Sequence, residues 1–329
     1  MFATPLPLDC QFEDAVVRSA YKRALLLEDQ NPVLIRILGY MLIYAPDESG
    51  RLNIAQDINA CATDQDVLEL GKSIFKFFAQ YFVFVDLMKS QSPHIDPCEI
   101  QSPSSVTPTP ATYSEVKNNA LIRDNYRCML TGKIDMTTYE QRPRLREQLG
   151  NNPPPHLDVT ECWHILPEYV ISGIQNDPQK QLACPAMLKV LERFGGISHR
   201  ELNRQGLHHW SNILTVQSSL RQSLNRLRVW LDPVKGLENT YTIGKRHPGI
   251  RPDLPPTITF TASAPTLPLP DRRYLALHAA CAKVAHLSGA SEAISLLGNK
   301  QEHDGVLSED GSSAEILENR LSVHVILAT

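Results

Sequence analysis

The spacing of apolar residues predicts that the chain begins with a group of helices. Apolar positions recur at intervals of three and four in residues 12–21 and again in residues 33–42, as in helices with one buried face. A further helix is predicted to begin at Asp64, because Thr63 can cap its first turn and Asp66 lies three residues further on. Nothing in this part of the sequence indicates chemistry.

The pattern changes in the middle of the chain. Residues 91–113 are rich in proline, serine and threonine, which predicts a linker that buries little apolar surface. A helix is predicted for residues 114–124, and short strands are predicted for residues 126–130, 159–166 and 213–216.

An amphipathic helix is predicted for residues 219–230, because leucines at the helical spacing share one face while arginines lie off it. Alternating residues then predict strands at 239–243 and 257–261, and an alanine-rich helix is predicted for residues 274–287. These elements predict an α+β protein that is mainly helical, with one hairpin followed by a helix (a ββα element).

The predicted organisation has four parts. Residues 1–90 form a helical region, and residues 91–113 form the linker. Residues 114–245 form the ββα domain with a helical insert, and residues 246–329 form an extension of strands and a helix.

Composition and charge favour an intracellular protein with a basic middle. The chain has seven cysteines with no Cys-x-x-Cys pair, which indicates reduced thiols. It shows no secretory signal and no apolar run long enough to span a bilayer, so cytoplasm or nucleus is expected. Net charge is −4, yet residues 114–251 contain 19 lysines and arginines against 13 acids, which is compatible with contacts to phosphate.

A series of motifs in fixed order resembles the fungal HNH-endonuclease-like family. The resemblance covers residues from about 114 to the C-terminus. It rests on Arg123-Asp124-x-Tyr126-x-Cys128-x-x-Thr131-Gly132, His164-Ile165-Leu166-Pro167, Leu191-Glu192-Arg193-Phe194-Gly195-Gly196, Asn212-Ile213-Leu214-Thr215, Leu227-Arg228-Val229-Trp230-Leu231-Asp232-Pro233 and the stretch from Leu267 to Cys281.

The resemblance implies a ββα-metal site that hydrolyses a phosphodiester with one divalent cation, Mg²⁺ or Zn²⁺. His164 matches the family's general base at the end of the first strand, and Asn212 matches its asparagine. The base activates water, and the metal stabilises the charge that develops on the phosphate.

Two positions depart from the family's pattern on the final helix. Arg221 stands where the family has a metal-binding histidine, and Asn225 stands where it has an acid. Arginine cannot ligate a cation, because its guanidinium is a fixed positive charge without an acceptor atom. Arg221 could contact a phosphate directly or occupy the metal's place. His208 and His209 are the candidate metal ligands that remain, together with His156.

Each residue also has a purely structural interpretation. His164 could be a buried structural histidine, and Asn212 could cap the hairpin as a turn residue. Arg123 and Asp124 are expected to finish a helix, and His278 is expected to pack or lie on the surface. Three functions stay open: a metal-dependent nuclease, a degenerate member that binds nucleic acid or protein, and a repurposed pocket around His164.

Overall fold

The structure is a computed structural model that describes residues 2–90, 113–149, 156–166, 189–198, 200–202, 210–264 and 266–295. It contains both helices and strands, which confirms the expected α+β class. Apart from Tyr113, the predicted linker lies outside the described residues. Among the helices that are described, none is long and apolar enough to cross a lipid bilayer.

The chain divides into two compact units that alternate along the sequence. The first unit is built from residues 1–90, 172–199 and 280–329, and the second from residues 91–171 and 200–279. The predicted boundaries at residues 90, 113 and 245 stay predictions.

The first unit is a helical bundle. Its described helices are α1 (Ala15–Leu27), α2 (Pro32–Ile43), α3 (Glu48–Ala60) and α4 (Asp64–Ser90), together with a π-helix (Lys189–Phe194). Helix α1 packs on α2 and α3, and α2 packs on α4, around fully buried side chains such as Ala24, Ile35 and Ile58. The predicted cap of α4 is confirmed: Thr63 Oγ1 accepts from the Asp66 backbone N–H at 3.2 Å, and Asp66 Oδ2 accepts from the Thr63 N–H at 2.8 Å.

The second unit combines short helices with three small sheets. Its helices are α5 (Tyr113–Arg123), α6 (Met136–Gln141), α7 (Pro143–Leu149), α8 (Ser218–Asn225) and the first half of α9 (Arg272–Leu287), whose residues from Ala280 belong to the first unit. Its strands are β1 (Ile134–Asp135), β2 (Leu157–Asp158), β3 (Thr160–His164), β4 (Ile213–Gln217), β5 (Val229–Pro233), β6 (Thr240–Lys245) and β7 (Thr257–Thr259). Strands β1 and β2 are parallel, β3 pairs with β4 antiparallel, and β5, β6 and β7 form an antiparallel sheet.

The buried carboxylate of Asp135 fixes the start of β3. It caps α6 by accepting from the Thr138 N–H and hydroxyl, each at 2.7 Å. Its other oxygen accepts from the Thr160 hydroxyl at 2.6 Å. One carboxylate therefore joins the first turn of α6 to the first residue of β3, and burial without such donors would be unfavourable.

The predicted helix over residues 219–230 is wrong beyond Asn225. The helix ends because Leu227 adopts a left-handed backbone, with φ of 55°. The Arg228 N–H then bonds back to the Ser223 carbonyl at 2.8 Å, a pattern that closes helix ends. Residues 229–233 form β5 instead. A short apolar run that is buried on both faces has no periodicity to separate a strand from a helix.

The strand predicted for residues 126–130 is also absent. Asn125 and Tyr126 both have left-handed backbones, with φ of 53° and 57°, so the chain turns sharply after α5. Arg127 makes a single antiparallel bridge with Ile134. The turn geometry overrides the local strand propensity of this stretch.

Trp230 in β5 requires glycine at its cross-strand partner, Gly244. A Cβ at residue 244 would lie 2.0 Å from Trp230 Nε1, which donates to Asp232 Oδ2 at 2.9 Å. We expect Gly244→Ala to lower the free energy of unfolding by about 1–3 kcal/mol, as overpacking does. Urea unfolding measures this change.

Gly132→Ala is the matched control. Gly132 has φ of 70° and open space around the position of a Cβ, so alanine there adds backbone strain of roughly 1–2 kcal/mol but no clash. A Gly244→Ala variant as stable as the parent would show that the indole does not constrain residue 244.

Candidate functional site

In the second unit, strands β3 and β4 pair, and helix α8 packs against both of them. The register pairs His164 with Ile213 and Glu161 with Val216. The Ile165 N–H continues the pairing by donating to the Asn212 carbonyl at 2.9 Å. His164 and Asn212 are therefore brought to the same end of the strand pair.

Asn212 is fully buried and binds the backbone of one residue. Its Oδ1 accepts from the Leu166 N–H at 2.9 Å, and its Nδ2 donates to the Leu166 carbonyl at 3.0 Å. By making both bonds, the Asn212 amide extends the hydrogen-bond ladder of β3 and β4 beyond His164, the last residue of β3. The amide thus holds the chain that leaves β3 after His164.

His164 is half-buried at the end of β3. Successive side chains of a strand point to opposite faces, so His164 shares a face with Cys162, and Glu161 shares the other with Trp163. Cys162 packs in an apolar cluster with Val116 of α5. The strand geometry thus puts His164 on the face opposite to the two residues that contact α8.

Helix α8 is tied to β3 by two polar contacts, one turn apart. The Arg221 guanidinium forms an ion pair with the Glu161 carboxylate, and these side chains are 30% and 26% exposed. Asn225 Oδ1 accepts from Trp163 Nε1 at 2.8 Å. Both helix positions at which the family resemblance places a metal ligand or an acid are therefore bonded to the neighbouring strand.

The residues that are described contain no group of three or more histidine, cysteine, aspartate or glutamate side chains placed to hold a metal ion. His208 and His209 lie outside the described residues, and His156 is exposed just before β2.

His278 of α9 is buried behind Trp163. The two rings meet edge to face, with centroids 5.0 Å apart. Nε2 lies 3.1 Å from the Leu224 carbonyl, so this nitrogen carries the proton and donates. Nδ1 is buried without a hydrogen-bond partner, and burial lowers the pKa of His278 to about 4.

A buried ion pair, Arg123–Asp124, was not identified as central from the sequence. Asp124 accepts from Arg123 Nε at 2.6 Å and from the Thr215 N–H of β4 at 3.0 Å, and both charged side chains are fully buried. Arg123 also donates to the carbonyls of Trp210, Ile213 and Pro268 at 2.7–3.1 Å. The sequence indicated only a helix end, because nothing in an Arg-Asp dipeptide shows that it will be buried.

No family model, curated protein or solved structure matches this chain.

Neutralising Asp124 tests the buried pair. We expect Asp124→Asn to lower the free energy of unfolding by about 3–5 kcal/mol, because it leaves the buried Arg123 charge uncompensated. Asp253→Asn is the control, since Asp253 pairs with Arg251 while 45% exposed and should cost less than about 1 kcal/mol. Chemical denaturation measures the free energy of unfolding of each variant. Similar losses in Asp124→Asn and Asp253→Asn would contradict a dominant role for the buried pair.

The buried ring of His278 should make the free energy of unfolding depend on pH. Its folded pKa, about 4, lies below the ordinary value of 6.5, so its contribution is complete above pH 6.5 and is lost as pH falls toward 4. We expect the stability advantage of the parent over His278→Gln to shrink by on the order of 3 kcal/mol between pH 7 and pH 4. Glutamine keeps a donor for the Leu224 carbonyl but does not titrate.

Urea unfolding at several pH values measures this difference, with His156→Gln as the exposed control. Parallel stability curves for the parent and His278→Gln would show that His278 does not remain neutral in the folded protein.

Proposed function

We propose that this chain is a non-catalytic HNH-endonuclease-like protein whose strand pair and helix serve to bind nucleic acid. The proposal joins the motif resemblance to the geometry of β3, β4 and α8. A hydrolytic site would need ligands for a divalent cation beside the general base. A binding site needs only cationic donors that reach phosphate oxygens.

The observation that carries the proposal is the ion pair between Arg221 and Glu161. The resemblance implies a metal-binding imidazole at residue 221, and a guanidinium cannot replace one. Glu161, the one carboxylate of β3, forms its ion pair with the same guanidinium. The arginine therefore supplies no ligand for a cation at this position of α8.

The two asparagines support the same interpretation. Asn225 accepts from the Trp163 indole, and Asn212 uses both ends of its amide on the Leu166 backbone. These bonds stabilise the packing of helix on strands. The side chains at residues 212 and 225, both matched to the family's motifs, thus make structural contacts.

Charge supports nucleic acid as the partner. Lysines and arginines outnumber acids by 19 to 13 in residues 114–251, although the whole chain is acidic. Contacts to phosphate dominate the affinity of such proteins and make it dependent on salt.

Two assays with the purified full chain test the proposal. We expect salt-dependent binding of an oligonucleotide, and no cleavage of plasmid DNA with Mg²⁺, Mn²⁺, Ni²⁺ or Zn²⁺. Arg221→Lys is the matched variant, because it keeps a cation beside Glu161 and likewise cannot ligate a metal. Arg221→His supplies the ligand type that the resemblance implies.

Metal-dependent cutting by the parent that disappears in His164→Ala would overturn the non-catalytic assignment. Cutting gained only in Arg221→His would agree with it and would identify the guanidinium as the block. Absence of any oligonucleotide binding would remove nucleic acid as the partner.

A further inference from the structure

The turn after α8 places two arginines around a strained residue. Arg226 ends the helix, with its N–H donating to the Gln222 carbonyl at 3.1 Å, and Arg228 follows Leu227. The left-handed backbone of Leu227 costs roughly 1–2 kcal/mol for a residue with a Cβ. Strain of this kind is kept where the surrounding structure imposes it, and it is common at functional sites.

A third arginine lies directly across the sheet. The Arg246 N–H donates to the Arg228 carbonyl at 2.9 Å, which extends the β5–β6 ladder one pair beyond Val229 and Lys245. Residues opposite each other share a sheet face, with Cβ atoms about 5 Å apart, and like charges in this arrangement are destabilising. Arg228 is exposed and Arg246 is half-buried.

His247 follows Arg246 in sequence and is exposed. Its Nδ1 accepts from the Gly249 N–H at 3.0 Å, so the neutral ring carries its proton on Nε2. Lys245 differs, because its ammonium donates to the Arg251 carbonyl at 2.7 Å. No acid occurs in residues 225–231 or 244–252, so both strands of this region contribute only cations and neutral residues.

We propose that Arg228 and Arg246 form the surface that contacts the phosphate backbone of a nucleic acid, here called the arginine surface. Guanidinium groups bind phosphate through paired N–H donors, which a lysine ammonium cannot do. The phosphates of one strand recur every few ångströms, at about 3.4 Å of rise per nucleotide, so neighbouring arginines can engage the same strand together.

This surface deepens the proposed function and rests on it. Both arginines also interact within the chain. A nucleic acid would therefore bind by sharing or exchanging those contacts, and high salt would weaken it strongly.

A charge-reversal pair tests the arginine surface in the full chain. Binding of a fluorescent oligonucleotide is measured by anisotropy over a salt series, for the parent, Arg228→Glu/Arg246→Glu and a control. The control, Lys22→Glu/Lys235→Glu, changes net charge by the same amount at two exposed lysines elsewhere. We expect Arg228→Glu/Arg246→Glu to bind the oligonucleotide at least about tenfold more weakly than the parent. The slope of log affinity against log salt concentration should fall by about two, while the affinity of the control variant should change by less than about twofold.

Arg228→Lys/Arg246→Lys separates charge from geometry and avoids new acids in the fold. We expect this variant to keep the salt slope and lose several-fold in affinity, because lysine lacks the planar fork. Thermal unfolding of each variant confirms that it is folded.

Equal losses of affinity in the control and in Arg228→Glu/Arg246→Glu would contradict the proposed arginine surface, because net charge alone would then explain the effect. Unchanged binding by Arg228→Glu/Arg246→Glu would also contradict the arginine surface, while the proposed function would survive. If the parent binds no oligonucleotide, the proposed function and the arginine surface both fail.

Discussion

The second unit depends on one buried ion pair between neighbours in sequence. Arg123 and Asp124 lie at the end of α5 with fully buried side chains, and together they bind the backbone of β4 and of the turn before it. Burying two charges is costly unless every donor and acceptor is satisfied, as it largely is here. Because that turn carries Asn212, the pair also fixes the amide that holds the chain after β3.

Helix α8 has only eight residues, which is too short for a stable isolated helix. Its apolar side, Leu220 and Leu224, is buried, and its polar side is bonded to β3 through Arg221 and Asn225. His278 supports the last turn from behind, at the Leu224 carbonyl. The helix therefore exists because its neighbours hold it, and the same contacts determine what its polar residues can do.

Periodicity and capping chemistry were sufficient to predict much of the fold. The bundle at the start of the chain, the cap at Thr63, the strands β6 and β7 and helix α9 follow from local rules that the rest of the molecule does not oppose. The end of α8 and the turn at Asn125 did not follow. Both depend on left-handed residues other than glycine, which tertiary packing imposes and sequence does not announce.

The candidate site was harder to predict, because motifs specify residue types but not their partners. The sequence showed that Arg221 is not a metal ligand, but it did not show that Glu161 would bind it. It left two roles open for Asn212, and only the structure shows that the side chain makes two hydrogen bonds to the Leu166 backbone. Long-range partners of this kind, 46 residues apart or more, leave no local signal.

The pairing of β3 with β4 has a consequence for how the chain must fold. His164 and Ile213 are partners across 48 intervening residues, many of which belong to the other unit. Closing so long a loop costs about 2 kcal/mol more than closing a tight hairpin, and it is slow. Because each unit is made of segments that interrupt the other, shortening the chain at either end would remove parts of a unit. The second unit can therefore be completed only after synthesis has passed residue 279, and the first unit needs segments that follow it.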